Sequence, residues 1–362
     1  MSRKTCPYDN VCSKGNGGFF ADGTTWGKYG TLAATCRKGF SLLLPLTAPS
    51  AEGNSMMRSS LVPCNRVSRS RRAVCLSIAL LLLFSSSIAS AHSSKTDKTG
   101  ILLVAFGSSV SQAQSSFSNI DAKVRAAYPD IPIYWAYTSH TIRAKLSKEG
   151  KELLSPAQAL ALMAAQGYTR VAVQSLHTIP GEEFSNLEKT VQAFRSFPDG
   201  IAHIELGAPL LLTTSDLEKT TDALLADIPT ERRKDEAVIF MGHGTPHPGN
   251  VYYIAMQEML HSRDAKVYLA TVEGTPDLDQ VRTRLKRDKI KKVWLMPFMS
   301  VAGDHARNDM SGPEDDSWAS ILKKDGISCI SVLKGTAEYD NVVTIWLDHL
   351  DQAFKRLPTQ PK

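Results

Sequence analysis

From Lys98 onward, short apolar runs alternate with longer amphipathic stretches. The runs predict strands over Ile101–Phe106, Ile133–Tyr137, Arg170–Leu176 and His203–Leu206, then Ala237–Met241, Lys266–Val272, Lys292–Phe298 and Ile327–Leu333. Between them the pattern predicts helices over Ser111–Tyr128, Ser155–Gln166, Asn186–Phe197 and Ser215–Asp227. Further helices are expected over Val251–Leu260, Thr275–Lys286, Ser317–Lys324 and Tyr339–Phe354. Ser155-Pro156 and Thr275-Pro276-Asp277 carry helix-start chemistry, an oxygen to receive a free N–H and a proline where no N–H is needed. Near-continuous apolar strands are buried on both faces. Their alternation with helices argues for an α/β fold with parallel sheets.

The pattern also repeats. LLVAFGSS (102–109) aligns with AVIFMGHGT (237–245), IYWAYTSH (133–140) with KVYLATVEG (266–274), and RVAVQSLHTIPGEE (170–183) with KVWLMPFMSVAGDH (292–305). Two halves follow, over 92–230 and 231–362, with the polar segment Ile228–Asp235 as the connection. In this register Ser108 stands opposite His243, Ser139 opposite Glu273, and Glu183 opposite His305.

His243, Glu273 and His305 each fall where an apolar run gives way to a glycine-containing loop. Ligands of open α/β sheets bind beyond the carboxyl ends of the strands. Neighbouring strands lie ~4.8 Å apart, so three strand-end side chains can converge on one ion at bonds of ~2.0–2.2 Å. Two imidazoles and a carboxylate leave coordination positions open, the pattern of a catalytic or delivery site. Imidazole suits Co, Ni, Fe and Zn, so the donors do not choose the metal. His247 stands four residues beyond His243, but Pro246, Pro248 and Gly249 exclude a helical two-histidine zinc motif.

The charge balance narrows the function. The whole chain has 42 Lys and Arg against 36 Asp and Glu; residues 1–91 hold 11 and 3 of these, which leaves 31 against 33. The basic excess belongs to the leader, so the remainder carries no signature of nucleic-acid binding. Arg66, Arg69, Arg71 and Arg72 precede the apolar run Ala73–Phe84 and the segment SSSIASA. That order reads as a cleaved signal peptide over 56–91, cut after Ala91, and hence a periplasmic protein without stable membrane insertion. The run is too short to span a bilayer, which takes about 20 apolar residues. Residues 1–55 have no clear period and read as a non-native or unstructured extension, with Met56 or Met57 as the expected start. Only Cys329 follows the leader, so no internal disulfide is expected; its apolar neighbours predict a buried core thiol.

MGHGT, ATVEG, PFMSVAGDHARNDM, LLVAFGSS and QSLHTIPGEEF together resemble the anaerobic cobalt chelatases of the CbiK type, class II chelatases related in fold to ferrochelatase. The resemblance covers about residues 98–355. It implies two Rossmann-like or flavodoxin-like halves with an active-site cleft between them. It implies insertion of Co2+ into sirohydrochlorin, a tetrapyrrole bearing eight carboxylates, on a route to cobalamin. By motif, His243, Glu273 and His305 match the metal ligands and His243 the proton acceptor. Fe2+ suits the same donors.

Metallating a tetrapyrrole removes two pyrrole N–H protons, and a neutral imidazole either ligates or accepts a proton, not both at once. A sequential route follows, in which transfer of the ion frees an imidazole. Glu182 and Glu183 face the same cleft in the repeat register; Glu183 is the candidate second acceptor, and Glu182 reads rather as a helix-start acid. For the substrate carboxylates, Arg143, Lys145 and Arg307 follow strand-end loops, with Ser108, His140 and His247 as neutral partners. The competing reading is an exported metal or haem carrier without turnover. His177, His203, His261 and His349 are available as loop histidines, but no spacing among them indicates haem. A zinc hydrolase lacks GxSxG or HExxH. A homo-oligomer is compatible with this sequence.

Overall fold

The computed structural model describes residues 97–358 apart from Asp199. The extension read over 1–55 and the leader read over 56–91 lie outside the described residues. The first half runs β1 (Thr99–Ala105), α1 (Gln114–Ala127), β2 (Ile133–Tyr137), α2 (His140–Lys148), α3 (Pro156–Ala165), β3 (Arg170–Ser175), α4 (Glu182–Arg195), β4 (His203–Gly207) and α5 (Thr214–Ala226). The second runs β5 (Ala237–Gly242), α6 (Val251–Arg263), β6 (Val267–Thr271), α7 (Leu278–Arg287), β7 (Lys292–Pro297), α8 (Trp318–Lys324), β8 (Ser328–Ser331) and α9 (Asp340–Arg356).

Two four-stranded sheets result, ordered β2-β1-β3-β4 and β6-β5-β7-β8, and every pairing is parallel. The identical order matches the internal repeat. In each sheet the chain reverses its direction of winding between two central strands, β1 and β3 or β5 and β7. A crevice opens at such a switch point beyond the carboxyl ends of the strands.

Alternate side chains on one strand enter different cores, as the two-residue period of a strand requires. Ile101, Leu103 and Ala105 join Val238 and Phe240 in a core shared by both sheets. Leu102 and Val104 face outward to Leu160, Met163 and Val191, whereas Ala237, Ile239 and Met241 face Val281, Leu285 and Trp318. The shared core continues through Leu224, Met256, Leu260, Trp346 and Leu350, so the halves do not hinge on a single connection.

The connection is itself anchored. Glu236, at its end, is 1% exposed; its carboxylate accepts from Trp294 Nε1 at 2.7 Å and pairs with Lys292 Nζ at 3.0 Å. The indole hydrogen bond, ahead of the Lys292 charge, lowers its pKa to about 2.

Helix starts follow local chemistry. Ser155, Thr213 and Asp277 each accept from the backbone N–H three residues on, and Gln158, Asp216 and Gln280 reciprocate. Asp277 therefore begins its helix at Leu278 rather than at Thr275. Glu182 and Glu183 lie within the first turn of α4, which starts before the expected Asn186, where carboxylates oppose the positive helix end. α2 was not anticipated, because among its residues only Leu146 is buried and no apolar stripe marks it.

The last helix departs most from the two-half expectation. Sequence position assigns α9 to the segment 231–362, yet it packs on β3, β4 and α5 of the first half. Val342, Val343, Ile345, Trp346, His349, Leu350 and Ala353 form its buried face. His349 Nε2 meets Asp216 Oδ1 at 3.0 Å inside this interface, so His349 is a buried structural group and not the loop histidine expected. His203 lies in β4 and His261 in α6. Cys329 is free on β8 and only half buried; burial pushes its thiol up to about 11. Among the described residues no helix is long and apolar enough to cross a membrane.

Candidate active site

The carboxyl ends of the central strands surround a cavity of about 530 Å³ to which both halves contribute. Ser108, Ser139, His177, Glu182 and Glu183 line it from the first half; His243, Tyr253, Glu273, Asp304 and His305 line it from the second. The three expected metal-handling side chains thus reach one space.

Their loops are held close by backbone contacts. The Glu273 N–H donates to the His243 carbonyl at 2.8 Å, and the Val272 N–H to the Gly242 carbonyl at 3.1 Å. Gly244 has φ +79°, and a Cβ there would lie 2.7 Å from the Gly274 nitrogen. The β5–α6 and β6–α7 loops therefore touch backbone to backbone, which only glycine permits.

Each histidine has a partner that sets its tautomer. His243 Nδ1 lies 2.8 Å from the Gly244 carbonyl, so in the neutral ring Nδ1 carries the proton and Nε2 keeps its lone pair. His305 Nδ1 lies 2.5 Å from Asp309 Oδ2, which leaves the Nε2 lone pair of the neutral ring free in the same way. The two rings stand edge to face with centroids 4.7 Å apart. Glu273 Oε2 is 4.0 Å from His243 Nδ1, on the protonated side of the ring, and its side chain is 57% exposed. Among the described residues no trio of His, Cys, Asp or Glu stands gathered as an ion requires.

Asp309 was not anticipated, although its place four residues after His305 is a usable signal on a helix. No helix was expected after His305; residues Ala306–Met310 form a π-helical turn that brings the carboxylate to the ring. Tyr253 had no signal, being one apolar position among many in α6. It is 3% exposed, its ring packs against Gly242, and its oxygen receives the backbone N–H groups of His243 and Gly244. Burial, which those N–H groups oppose and the Glu183 charge reinforces, pushes its phenol up to about 12.

His177 also gains a place that its sequence position did not reveal. Its Nδ1 meets Ser175 Oγ at 2.8 Å and its Nε2 meets Thr138 Oγ1 at 3.1 Å, which engages both nitrogens. Burial pushes its pKa down to about 4, so the ring is a neutral wall of the cavity. Neither nitrogen is left for haem.

The substrate-binding expectations divide. Ser108 lines the cavity, is 6% exposed, and accepts from the Val110 N–H at 3.1 Å. Arg143, Arg307 and His247 do not line it. Arg143 lies in α2, two positions round the helix from the lining residue Thr141. Arg307 folds back so that its Nε donates to the Ala302 carbonyl at 3.2 Å. His247 accepts from the Gly249 N–H at 3.0 Å and caps the turn Pro248–Asn250.

Residues 99–355 match the sequence profile of the cobalt chelatase (CbiK) family. The chain is 45% identical over 260 residues to a sirohydrochlorin cobaltochelatase, CbiKC, of Nitratidesulfovibrio vulgaris, covering 72% of this chain and 92% of that protein. It is 34% identical over 259 residues to the sirohydrochlorin cobaltochelatase of Salmonella typhimurium, covering 71% of this chain and 97% of that protein. Among solved structures, SirB from Bacillus subtilis with Fe3+ aligns over 71% of this chain and 95% of its own, at 16% identity and a TM-score of 0.47. A match that runs through both halves and every loop of the cavity shows that this chain belongs to the CbiK family of cobalt chelatases.

Proposed function

We propose that this protein inserts Co2+ into sirohydrochlorin, exchanging two pyrrole N–H protons for the ion, in cobalamin biosynthesis. Family membership supports the reaction. One observation carries the assignment of roles: His243 and His305 meet at 4.7 Å in a cavity whose facing wall bears Glu183.

In this reading the ion is a substrate that arrives hydrated. His243 Nε2 and His305 Nε2 take it, with Glu273 turning in as the third ligand. The Gly244 carbonyl and Asp309 hold both rings by Nδ1, which makes Nε2 the more basic donor. As the ion passes to the pyrrole nitrogens, the His243 lone pair is released and accepts one departing proton. Glu183, across the cavity, takes the other. Ser108 lies against Gly303, beside the His305 turn, where it fixes the macrocycle between the walls. Imidazole and carboxylate donors also accept Fe2+, though less tightly than Co2+, so iron insertion belongs to the same reading.

Export to the periplasm, with cleavage after Ala91, belongs to this reading on the leader sequence alone.

Anaerobic metallation of sirohydrochlorin, followed by absorbance, tests the proposal. Protein spanning 92–362 is expected to accelerate Co2+ insertion, and His243→Ala and His305→Ala to lose it by at least about a hundredfold. Stoichiometric binding of metal or tetrapyrrole with insertion no faster than buffer would leave a carrier instead.

A further inference from the structure

The cavity poses an electrostatic problem for the substrate proposed above, on which this inference rests. Among the described residues no lysine or arginine lines it, and four acids do: Glu182, Glu183, Glu273 and Asp304. A macrocycle fringed by carboxylates needs cations, and its fringe lies at the rim because the carboxylates stand on the ring periphery.

One cation is built into that rim. Lys145 Nζ donates to Ser109 Oγ at 3.1 Å, and Ser109 lines the cavity. Lys145 follows Thr141, another lining residue, by one helical turn on the same face of α2. Side chains on a helix lean toward its N-terminus, so this one leans back toward the opening. Among the described residues Lys145 is in no ion pair, unlike Lys151 and Lys123, which sit on Glu149 and Asp340. Its ammonium has donors to spare after the Ser109 bond. Phe106, on the same β1 loop as Ser109, lines the cavity while 40% exposed, and offers an apolar face to a flat ring.

We propose that Lys145, seated on Ser109, selects a carboxylate-fringed macrocycle by pairing with one peripheral carboxylate while Phe106 lies against the ring. The rim supplies the attraction that the acidic interior lacks, and the interior is left free for the metal ion.

Steady-state cobalt insertion and metal-free sirohydrochlorin binding, read by fluorescence, test this on wild type, Lys145→Glu and Lys145→Arg, each checked for an unchanged unfolding midpoint. Lys145→Glu is expected to raise both KM and Kd for sirohydrochlorin about tenfold with kcat within about twofold, and Lys145→Arg to stay near wild type. The wild-type Kd should weaken with added salt more steeply than that of Lys145→Glu. A KM and Kd for Lys145→Glu within about twofold of wild type would overturn the role of Lys145 and leave the chelatase reading standing. Wild type that binds but does not metallate, with binding weakened in Lys145→Glu, would sink the chelatase reading and keep Lys145. Absence of wild-type binding would overturn both.

Discussion

A Cβ on Gly244 would meet the Gly274 nitrogen at 2.7 Å, the Glu273 carbonyl carbon at 2.8 Å and the Thr271 Cβ at 2.8 Å. Backbone cannot yield as a flexible side chain does, and φ +79° adds a further penalty for any L-residue. Gly244→Ala is expected to cost at least about 1–2 kcal/mol in thermal or denaturant unfolding and to push the His243 and Glu273 loops apart. Misplacing them by about 1 Å should lower insertion on the order of a hundredfold. Near-normal turnover in a folded variant would show that the loop contact does not set the site. His177 gives a pH prediction. Its pKa of about 4 lies below the ordinary histidine value, so from pH 6.5 downward the unfolded chain takes a proton that the folded chain refuses. Stability is therefore complete above pH 6.5 and falls toward pH 4, by an upper limit of about 3 kcal/mol, less because part of the ring faces the cleft. Unfolding midpoints of His177→Gln should fall less steeply than wild type across that window. Identical slopes would remove His177 as the cause. At this scale the convergence of His243, Glu273 and His305 on one cavity was legible because each follows an apolar strand in a glycine-containing loop. Tyr253 and His177 were not, since their roles come from which loop or hydroxyl the fold brings beside them.

Strands were the most legible elements, and Ile133–Tyr137 agrees at both ends. Parallel strands covered on both faces leave short apolar runs that are read directly from the chain. α2 left no such mark, because one face looks into the cavity and most of the rest into solvent; cavity-facing positions need not be apolar. The π-helical turn after His305 was equally hidden, as its geometry answers to the position of Asp309 and not to a periodic pattern. α9 was legible as a helix by its apolar stripe, but a stripe does not name its partner. Trp346, 1% exposed, fills the space between α9 and the first sheet. Trp346→Ala should destabilise the protein by about 3–5 kcal/mol in denaturant titration. The transition should remain single, since the core on which it packs is common to both halves. Two separated transitions would show instead that the halves unfold independently.

Across the whole molecule, the same strand order in both sheets brings two switch points to one cleft. The first half supplies Glu183, His177 and the Lys145 rim, and the second supplies His243, Glu273 and His305. The sequence by itself determined the α/β class, the duplicated strand pattern, and the strand-end positions of His243, Glu273 and His305, because burial periodicity and strand-end position are local properties of the chain. Only the tertiary structure decided that α9 returns to the first half, that Arg143, Arg307 and His247 stay off the cavity wall while Lys145 reaches Ser109 at the rim, and that Tyr253, His177 and Asp309 attend the site. The placements of α9, His177 and Lys145 turn on contacts between residues far apart in sequence, whereas those of Arg307, His247 and Asp309 turn on short-range backbone folding that no apolar periodicity records.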